Sequence, residues 1–388
     1  MSTIKLYDED AYKREFSAVI EGIEVKDQDT CLVRLNRTLF FPEEGGQTSD
    51  IGTLGSFKVT HVSIEDDIIT HTVMCRADDL KTGDEVSGVI DWKRRFSNMQ
   101  NHTGEHILSG IMHREWGIEN KGFHLSDSIV TVDTSSELPE EDLKKLEMLA
   151  NDAVYRNIPT ECRYYDAASL EGMSYRSKID VKDSLRIVTI PGIDVCACCA
   201  PHVSHTGEIG IIKIIRAIRY KGGMRLTILC GERAFSHLSR IQDITDDLSH
   251  MLSENTDKLT EAVDRLLNDN NDLKIKIKND AAKRLERDIE ELDSNAPVAV
   301  LFTDAVDNTV QRKAVNRLTE SRDTICAVFS SDGDGGYNYI LSYPGHDARG
   351  ISSLLKEKFG ARGGGSLEMV QGNIKASEEE ISALLRQE

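Results

Sequence analysis

Two donor pairs stand far apart in this chain of 388 residues. In "NHTGEHILSG" the histidines His102 and His106 are four apart, and in "CACCAPHV" Cys198 and His202 are four apart. A helix turns once in about 3.6 residues, so positions i and i+4 share a face and both imidazoles can converge on one ion. The polar side of an ordinary amphipathic helix would carry the same spacing, and a chain with 11 histidines produces it by chance. Nitrogen and thiolate donors suit a tetrahedral zinc ion. A helix lending two imidazoles and a proline-stiffened loop lending Cys198 and His202 make a His₃Cys set. Cys196 and Cys199 are rivals for the thiolate. A buried cluster of small cysteines beside His202 is the structural alternative.

The elements that must hold these donors follow from the hydrophobic pattern. Residues 1–92 read as short strands broken by turns, "TCLVRLNRTLFF" and "SFKVTHVSIEDDIITHTV" among them, which predicts a small β-barrel with a glycine-rich loop at "PEEGGQTSDIGTLG". Residues 93–235 read as a mixed α+β core. Its helix over "FSNMQNHTGEHILSGIMHREWG" has Ile107, Leu108, Ile111 and Met112 on the apolar side and Gly117 at its end. Residues 236–293 place Leu238, Ile241, Leu248, Leu252, Leu259, Ala262, Leu266 and Leu273 at alternating three- and four-residue steps. That pattern predicts a coiled-coil helix or helical hairpin, with Asn255 on its seam. Residues 294–388 alternate strands and helices, a compact α/β unit. The fold class expected is therefore α+β and multidomain.

A formal charge of −19 argues against a general nucleic-acid coat, because nonspecific affinity rests on basic residues. It leaves room for a local basic groove. "GIIKIIRAIRYKGGMR" carries Lys213, Arg216, Arg219, Lys221 and Arg225 with no acid, and "DWKRRF" adds Lys93, Arg94 and Arg95. Eight cysteines in a chain without an apolar leader read as thiols or metal ligands rather than disulfides. No apolar run is long enough to span a membrane, and the charged start is unlike a signal peptide, so a cytoplasmic location is expected.

The stretches "TLFFPEEGGQTSDIG", "NHTGEHIL", "CCAPHVSHTGEIG" and "GARGGGSLEMVQG" occur in the order of corresponding motifs in the C-terminal half of alanyl-tRNA synthetase. The whole chain resembles the free-standing AlaX-type alanyl-tRNA editing proteins in their long form. The resemblance implies that His102 and His106 match the family's HxxxH metal pair, and that Cys198 and His202 match its other two zinc ligands. The family's Gly-Gly-Thr between those two is Cys-Ala-Pro here, which keeps Cys196 and Cys199 in contention. It also places Gln47 at the position of an editing-pocket glutamine, with Thr38 just upstream, and these two are the candidate catalytic residues. Residues 294–388 resemble a DHH-associated domain that contacts tRNA, and no Asp-His-His triplet of the partner catalytic half is present. Expected tRNA contacts are Arg94, Arg95, Arg216, Arg219, Lys221, Arg362, Gly363 and Gly364, the glycines forming a loop whose amides meet a phosphate. A homodimer through the helical segment or the terminal domain is a further expectation.

The implied reaction is hydrolysis of mischarged tRNA(Ala), with serine and glycine as the misplaced amino acids. An alanine site cannot exclude smaller glycine and rejects serine imperfectly, so a second pocket is needed to remove the errors. A zinc peptidase is disfavoured, because Glu105 precedes the second histidine instead of following the first. A noncatalytic, zinc-stabilised tRNA-binding protein and an editing enzyme for another aminoacyl-tRNA are the remaining alternatives.

Overall fold

The computed structural model describes residues 2–177 and 184–388. They fall into two compact units, Met1–Ile244 and Thr245–Glu388. In the first, six antiparallel strands close a barrel in the order Glu15–Asp27, Thr30–Leu35, Ile68–Met74, Phe57–Glu65, Gly52–Leu54 and Glu85–Ile90. The period of two expected of a strand is plain in the first of these, where Phe16, Ala18 and Ile20 are buried and Glu15, Ser17 and Val19 are exposed. A small six-stranded barrel is thus present, its strands lying between Glu15 and Ile90.

Polar groups inside the barrel are paired. His71 is fully buried, its Nδ1 3.1 Å from the Val33 carbonyl and its Nε2 2.9 Å from the Thr38 hydroxyl. Thr38 also accepts from the Phe40 amide at 3.0 Å. Thr38 therefore braces the barrel interior, which corrects its placement at the reactive pocket: its side chain is consumed by His71.

A helix of 25 residues, Trp92–Trp116, follows the barrel. Asp91 caps its start by accepting from the Arg94 amide, and Gly117 ends it in the left-handed region at φ 66°. Its first turn is fastened to the barrel by Arg95, which is fully buried against Asp50 and donates to the Leu39 carbonyl at 2.6 Å. Breaking such a buried pair costs about 3–5 kcal/mol. Arg95 is therefore a structural tie and is unavailable to a phosphate, contrary to the expectation from its sequence neighbours. Arg94 donates to Asp127 at 2.7 Å, to Thr48 at 3.1 Å and to the Ser49 carbonyl, so it too is turned inward.

Beside the helix lie a four-stranded antiparallel sheet, ordered Ile212–Tyr220, Gly223–Cys230, Val130–Thr134 and Asn120–Leu125, and a second helix, Glu140–Tyr155. A three-stranded sheet of Glu161–Asp166, Ser184–Ile190 and Asp194–Ala197 completes the unit. The basic stretch from Lys213 to Arg225 turns out to be largely neutralised. Lys213 meets Glu147, Arg219 meets Glu137 and Arg225 meets Asp133, at 2.6, 2.9 and 2.6 Å. Arg216 and Lys221 remain on the exposed side.

The helical segment is not one continuous rod. The helix Gly231–Leu252 stops at Ser253, whose φ is 50°, and a second helix runs over Leu259–Glu291. Asn255 stands at the start of the short turn Thr256–Lys258 instead of sitting on a helical seam. In the second unit, strands Ala299–Thr303, Cys326–Ser331, Tyr337–Ser342, Met369–Ile374 and Arg362–Gly365 form one sheet, its first pair parallel and the rest antiparallel. Gly363 and Gly364 are thus in an exposed edge strand paired with Met369–Ile374, not in a loop. An extended backbone points successive amides in opposite directions, so these glycines form no anion nest. Arg362 is exposed in the same strand. Among the described residues no helix is long and apolar enough to cross a membrane.

Burial lowers the His71 pKa from 6.5 to about 4. The folded state therefore takes up that proton later than the unfolded chain as the pH falls. Stability from a neutral His71 is complete above pH 6.5 and declines as pH falls towards 4, by roughly 3 kcal/mol. We expect the unaltered protein to lose that much more than His71→Gln over this range in urea unfolding of the first unit. Parallel pH profiles would contradict it.

Candidate metal centre

Most side chains from Asn98 to Met112 on the Trp92–Trp116 helix are buried, and they include Gln100, Asn101, His102, Thr103, Glu105, His106 and Ser109. A polar face with no water must find partners within the protein. Each of the three candidate histidines has its Nδ1 pinned by a different group. His102 Nδ1 lies 2.8 Å from Gln47 Oε1, His106 Nδ1 lies 2.9 Å from Asp194 Oδ2, and His202 Nδ1 lies 3.0 Å from Thr103 Oγ1. Amide oxygen and carboxylate accept, and Thr103 Oγ1 is placed to do the same, so the Nδ1 atoms carry the protons and the Nε2 lone pairs are left for an ion.

Those Nε2 atoms gather around Cys198. Its Sγ is 3.5 Å from His102 Nε2 and 3.4 Å from His202 Nε2. The four donor atoms of His102, His106, Cys198 and His202 lie within 4.8 Å of one another. A tetrahedral zinc with Zn–N near 2.05 Å and Zn–S near 2.3 Å would place nitrogen and sulfur about 3.5 Å apart. The donor spacing fits that ion.

The loop carrying Cys198 is held by Arg186, which donates to the carbonyls of Cys198 and Ala200 at 2.8 and 2.9 Å. Two glycines let the partners approach. A Cβ on Gly110 would stand 2.4 Å from the Ile193 carbonyl, so only glycine lets the Asp194 strand lie against the helix. Gly46 has φ +83° and would meet the Phe123 carbonyl at 2.3 Å, and it delivers Gln47 to His102.

Among the described residues neither rival thiol groups with all three histidines. Cys199 Sγ lies near Gly45, and its pKa is pushed up to about 12 by burial and then by the charge of Glu44. Cys196 groups with His106 and Asp194. That trio is a poor cation site, because Arg176 holds both Asp194 oxygens at 2.8 and 2.7 Å. Burial alone would raise the Asp194 pKa, yet hydrogen bonds from His106 and Arg176 outweigh it and hold the group below its ordinary value. Burial, with neighbouring positive charge, keeps His102 and His202 well below the usual histidine range, so both are neutral. Burial, then Cys199, holds the Cys198 thiol well above its own. A cation binding here would displace that proton.

The centre opens on a cavity of about 950 Å³ whose wall includes Gly45, His102, Glu105, His106 and Cys198. Thr38 and Gln47 do not line it. Gln47 is fully buried behind His102, and its Nε2 has no hydrogen-bond partner among the described residues. Sequence reasoning missed Thr103, Asp194 and Arg176. Asp194 precedes Cys198 by four residues, the only hint it gave.

Residues 6–94 match the family of class II (A) tRNA synthetases, and residues 185–226 match the second additional domain of threonyl and alanyl tRNA synthetases. The alanyl-tRNA editing protein AlaX-L of Pyrococcus horikoshii is 29% identical over 97% of this chain and 96% of its own length. This chain resembles the AlaX-type alanyl-tRNA editing proteins of the long form. It is also 30% identical to the alanine–tRNA ligases of Methanobrevibacter smithii and Pyrococcus abyssi, covering 43% and 42% of their lengths. The chain therefore spans about two-fifths of each ligase. Its matched segments contain the glycine-rich loop and the Cys198–His202 half of the donor set.

Cobalt reports a thiolate ligand through its charge-transfer absorption. We expect the band in the unaltered protein and in Cys196→Ala, and its loss in Cys198→Ala. Asp194→Asn should retain the band but bind about 10- to 100-fold more weakly. A band that survives Cys198→Ala and vanishes in Cys196→Ala would move the thiolate.

Proposed function

We propose that this chain is a trans-editing hydrolase that cleaves the ester between a wrongly attached amino acid and tRNA(Ala), with seryl-tRNA(Ala) the principal substrate and glycyl-tRNA(Ala) a second. The observation that carries this reading is a four-donor centre at tetrahedral spacing, open to a cavity, in a chain similar along its length to AlaX-L. The cavity is in the size range of small-molecule sites and suits a terminal nucleoside with its amino acid. Water attacks the ester carbonyl, the bond to the ribose oxygen breaks, and free amino acid and tRNA leave.

His102, His106, Cys198 and His202 would hold zinc, which when bound supplies Lewis acidity beside the ester. Gln47, Asp194 and Thr103 keep the imidazoles oriented. Gln47 acts on the pocket from behind, through the His102 ring whose Nδ1 it holds. All of this is soluble chemistry on a cytoplasmic tRNA and needs no nucleotide cofactor.

Affinity for tRNA would come from phosphate contacts spread beyond the pocket. Arg216, Arg219, Lys221 and Arg362 are exposed, and Arg219 would have to exchange Glu137 for a phosphate. Residues 294–388 would act as a DHH-associated tRNA-contacting domain. The exposed Leu248, Leu266 and Leu273 support a coiled-coil pairing of two copies.

Deacylation assays with Ser-, Gly- and Ala-tRNA(Ala) test the reaction. Rapid loss of Ser-tRNA(Ala), slower loss of Gly-tRNA(Ala) and sparing of Ala-tRNA(Ala) are expected. Tight tRNA binding without deacylation would make the protein a noncatalytic binder. A fragment ending at Ile244 should keep its metal and hydrolyse, yet bind tRNA more weakly and with a shallower salt dependence, because fewer phosphates are neutralised. Equal affinity and slope would remove the second unit from tRNA binding.

A further inference from the structure

Among the described residues three acidic side chains are buried: Asp50, Glu105 and Asp194. Asp50 holds Arg95, and Asp194 holds Arg176. Glu105 forms no ion pair with a lysine or arginine among the described residues, although it is only 4% exposed. Its Oε1 accepts from the Ser109 hydroxyl and from Asn120 Nδ2, the latter at 2.6 Å. Both donors are neutral. No hydrogen bond among the described residues reaches Oε2, and the residue lines the same cavity as the donor set. Helical spacing of three puts Glu105 on the same side of the helix as His102.

Burying a carboxylate without a cation is costly, and the other two buried acids avoid that cost. Charge balance sharpens the contrast. With a divalent ion on the Cys198 thiolate, and Asp194 cancelled by Arg176, the donor set and the Asp194–Arg176 pair would carry one net positive charge without Glu105 and none with it. A cationic ligand group could not enter readily in the first case. An amino acid esterified to tRNA carries one such group, its α-ammonium, close to the reacting carbonyl.

We infer that Glu105 is the anchor for the substrate's α-ammonium group, a role that rests on the aminoacyl-ester reading above. Oε2 accepts from the ammonium while Ser109 and Asn120 fix the carboxyl plane through Oε1. This places the ester beside the metal donors and makes the pocket selective for amino acids over the matching hydroxy acids.

Two stable analogues separate the possibilities: 3′-deoxyadenosine bearing serine through a 3′-amide, and its counterpart with the α-amino group replaced by hydroxyl. Calorimetry at pH 6.5, where an ordinary α-amino group is protonated, is run on the full chain with zinc content measured. The unaltered protein should prefer the amine analogue by roughly 10- to 100-fold, the worth of a charged hydrogen bond. Glu105→Gln should bind the amine analogue no better than the hydroxyl one, with unchanged zinc and unchanged affinity for the latter, and Glu105→Asp should recover part of the preference. The assignment is overturned if Glu105→Gln keeps the preference, weakens both analogues equally, or loses zinc. No amine preference in the unaltered protein overturns it as well. If neither analogue binds the unaltered protein, the aminoacyl-ester reading itself falls.

Discussion

A helix that buries its polar face must find a partner for every ring nitrogen on that face, and this requirement organises the first unit. His102 takes its partner from the barrel loop through Gln47, His106 from the three-stranded sheet through Asp194, and His202 from the helix itself through Thr103. Three parts of the chain separated by many residues must therefore be in place before the donors converge. The Arg95–Asp50 pair sets the angle of the helix on the barrel, and Gly46 and Gly110 let the two outside partners come within reach. Side chains at either glycine would push a partner away before touching a ligand.

The same burial decides the charge state of the donors. Taking imidazoles out of water favours their neutral form, which is the form that binds a metal. It also favours the protonated thiol of Cys198 over the thiolate. A cation is what reverses the second effect without opposing the first. The Asp194–Arg176 pair adds a local carboxylate to strengthen His106 while adding no net charge. Glu105 stands apart from this balance, because among the described residues it has hydrogen bonds from neutral donors but no ion pair with a lysine or arginine.

Much of the fold was legible because local patterns matched the outcome. Alternating apolar and polar residues in "SFKVTHVSIEDDIITHTV" announced the barrel strands Phe57–Glu65 and Ile68–Met74, and Gly117 announced the helix end. The two i,i+4 donor pairs were visible as spacing, though which thiol faced inward depended on the direction of a loop held by Arg186. What failed was anything set by a distant partner. Lys213, Arg219 and Arg225 looked unopposed because Glu147, Glu137 and Asp133 come from elsewhere in the chain. Arg95 looked like surface because its acid, Asp50, stands 45 residues earlier, with four barrel strands between. Gly363 and Gly364 read as a loop because a strand without side chains leaves no alternation to detect. The amphipathic reading of the Trp92–Trp116 helix missed that its polar side is as dry as its apolar one.

The central claim is that pinned Nδ1 atoms force an Nε2-only, three-histidine, one-thiolate shell. X-ray absorption at the zinc edge of the protein as purified tests it most directly. The account predicts three nitrogen scatterers at about 2.0–2.1 Å and one sulfur at about 2.3 Å. A shell with two sulfurs, with none, or with no protein-bound zinc at all would contradict it.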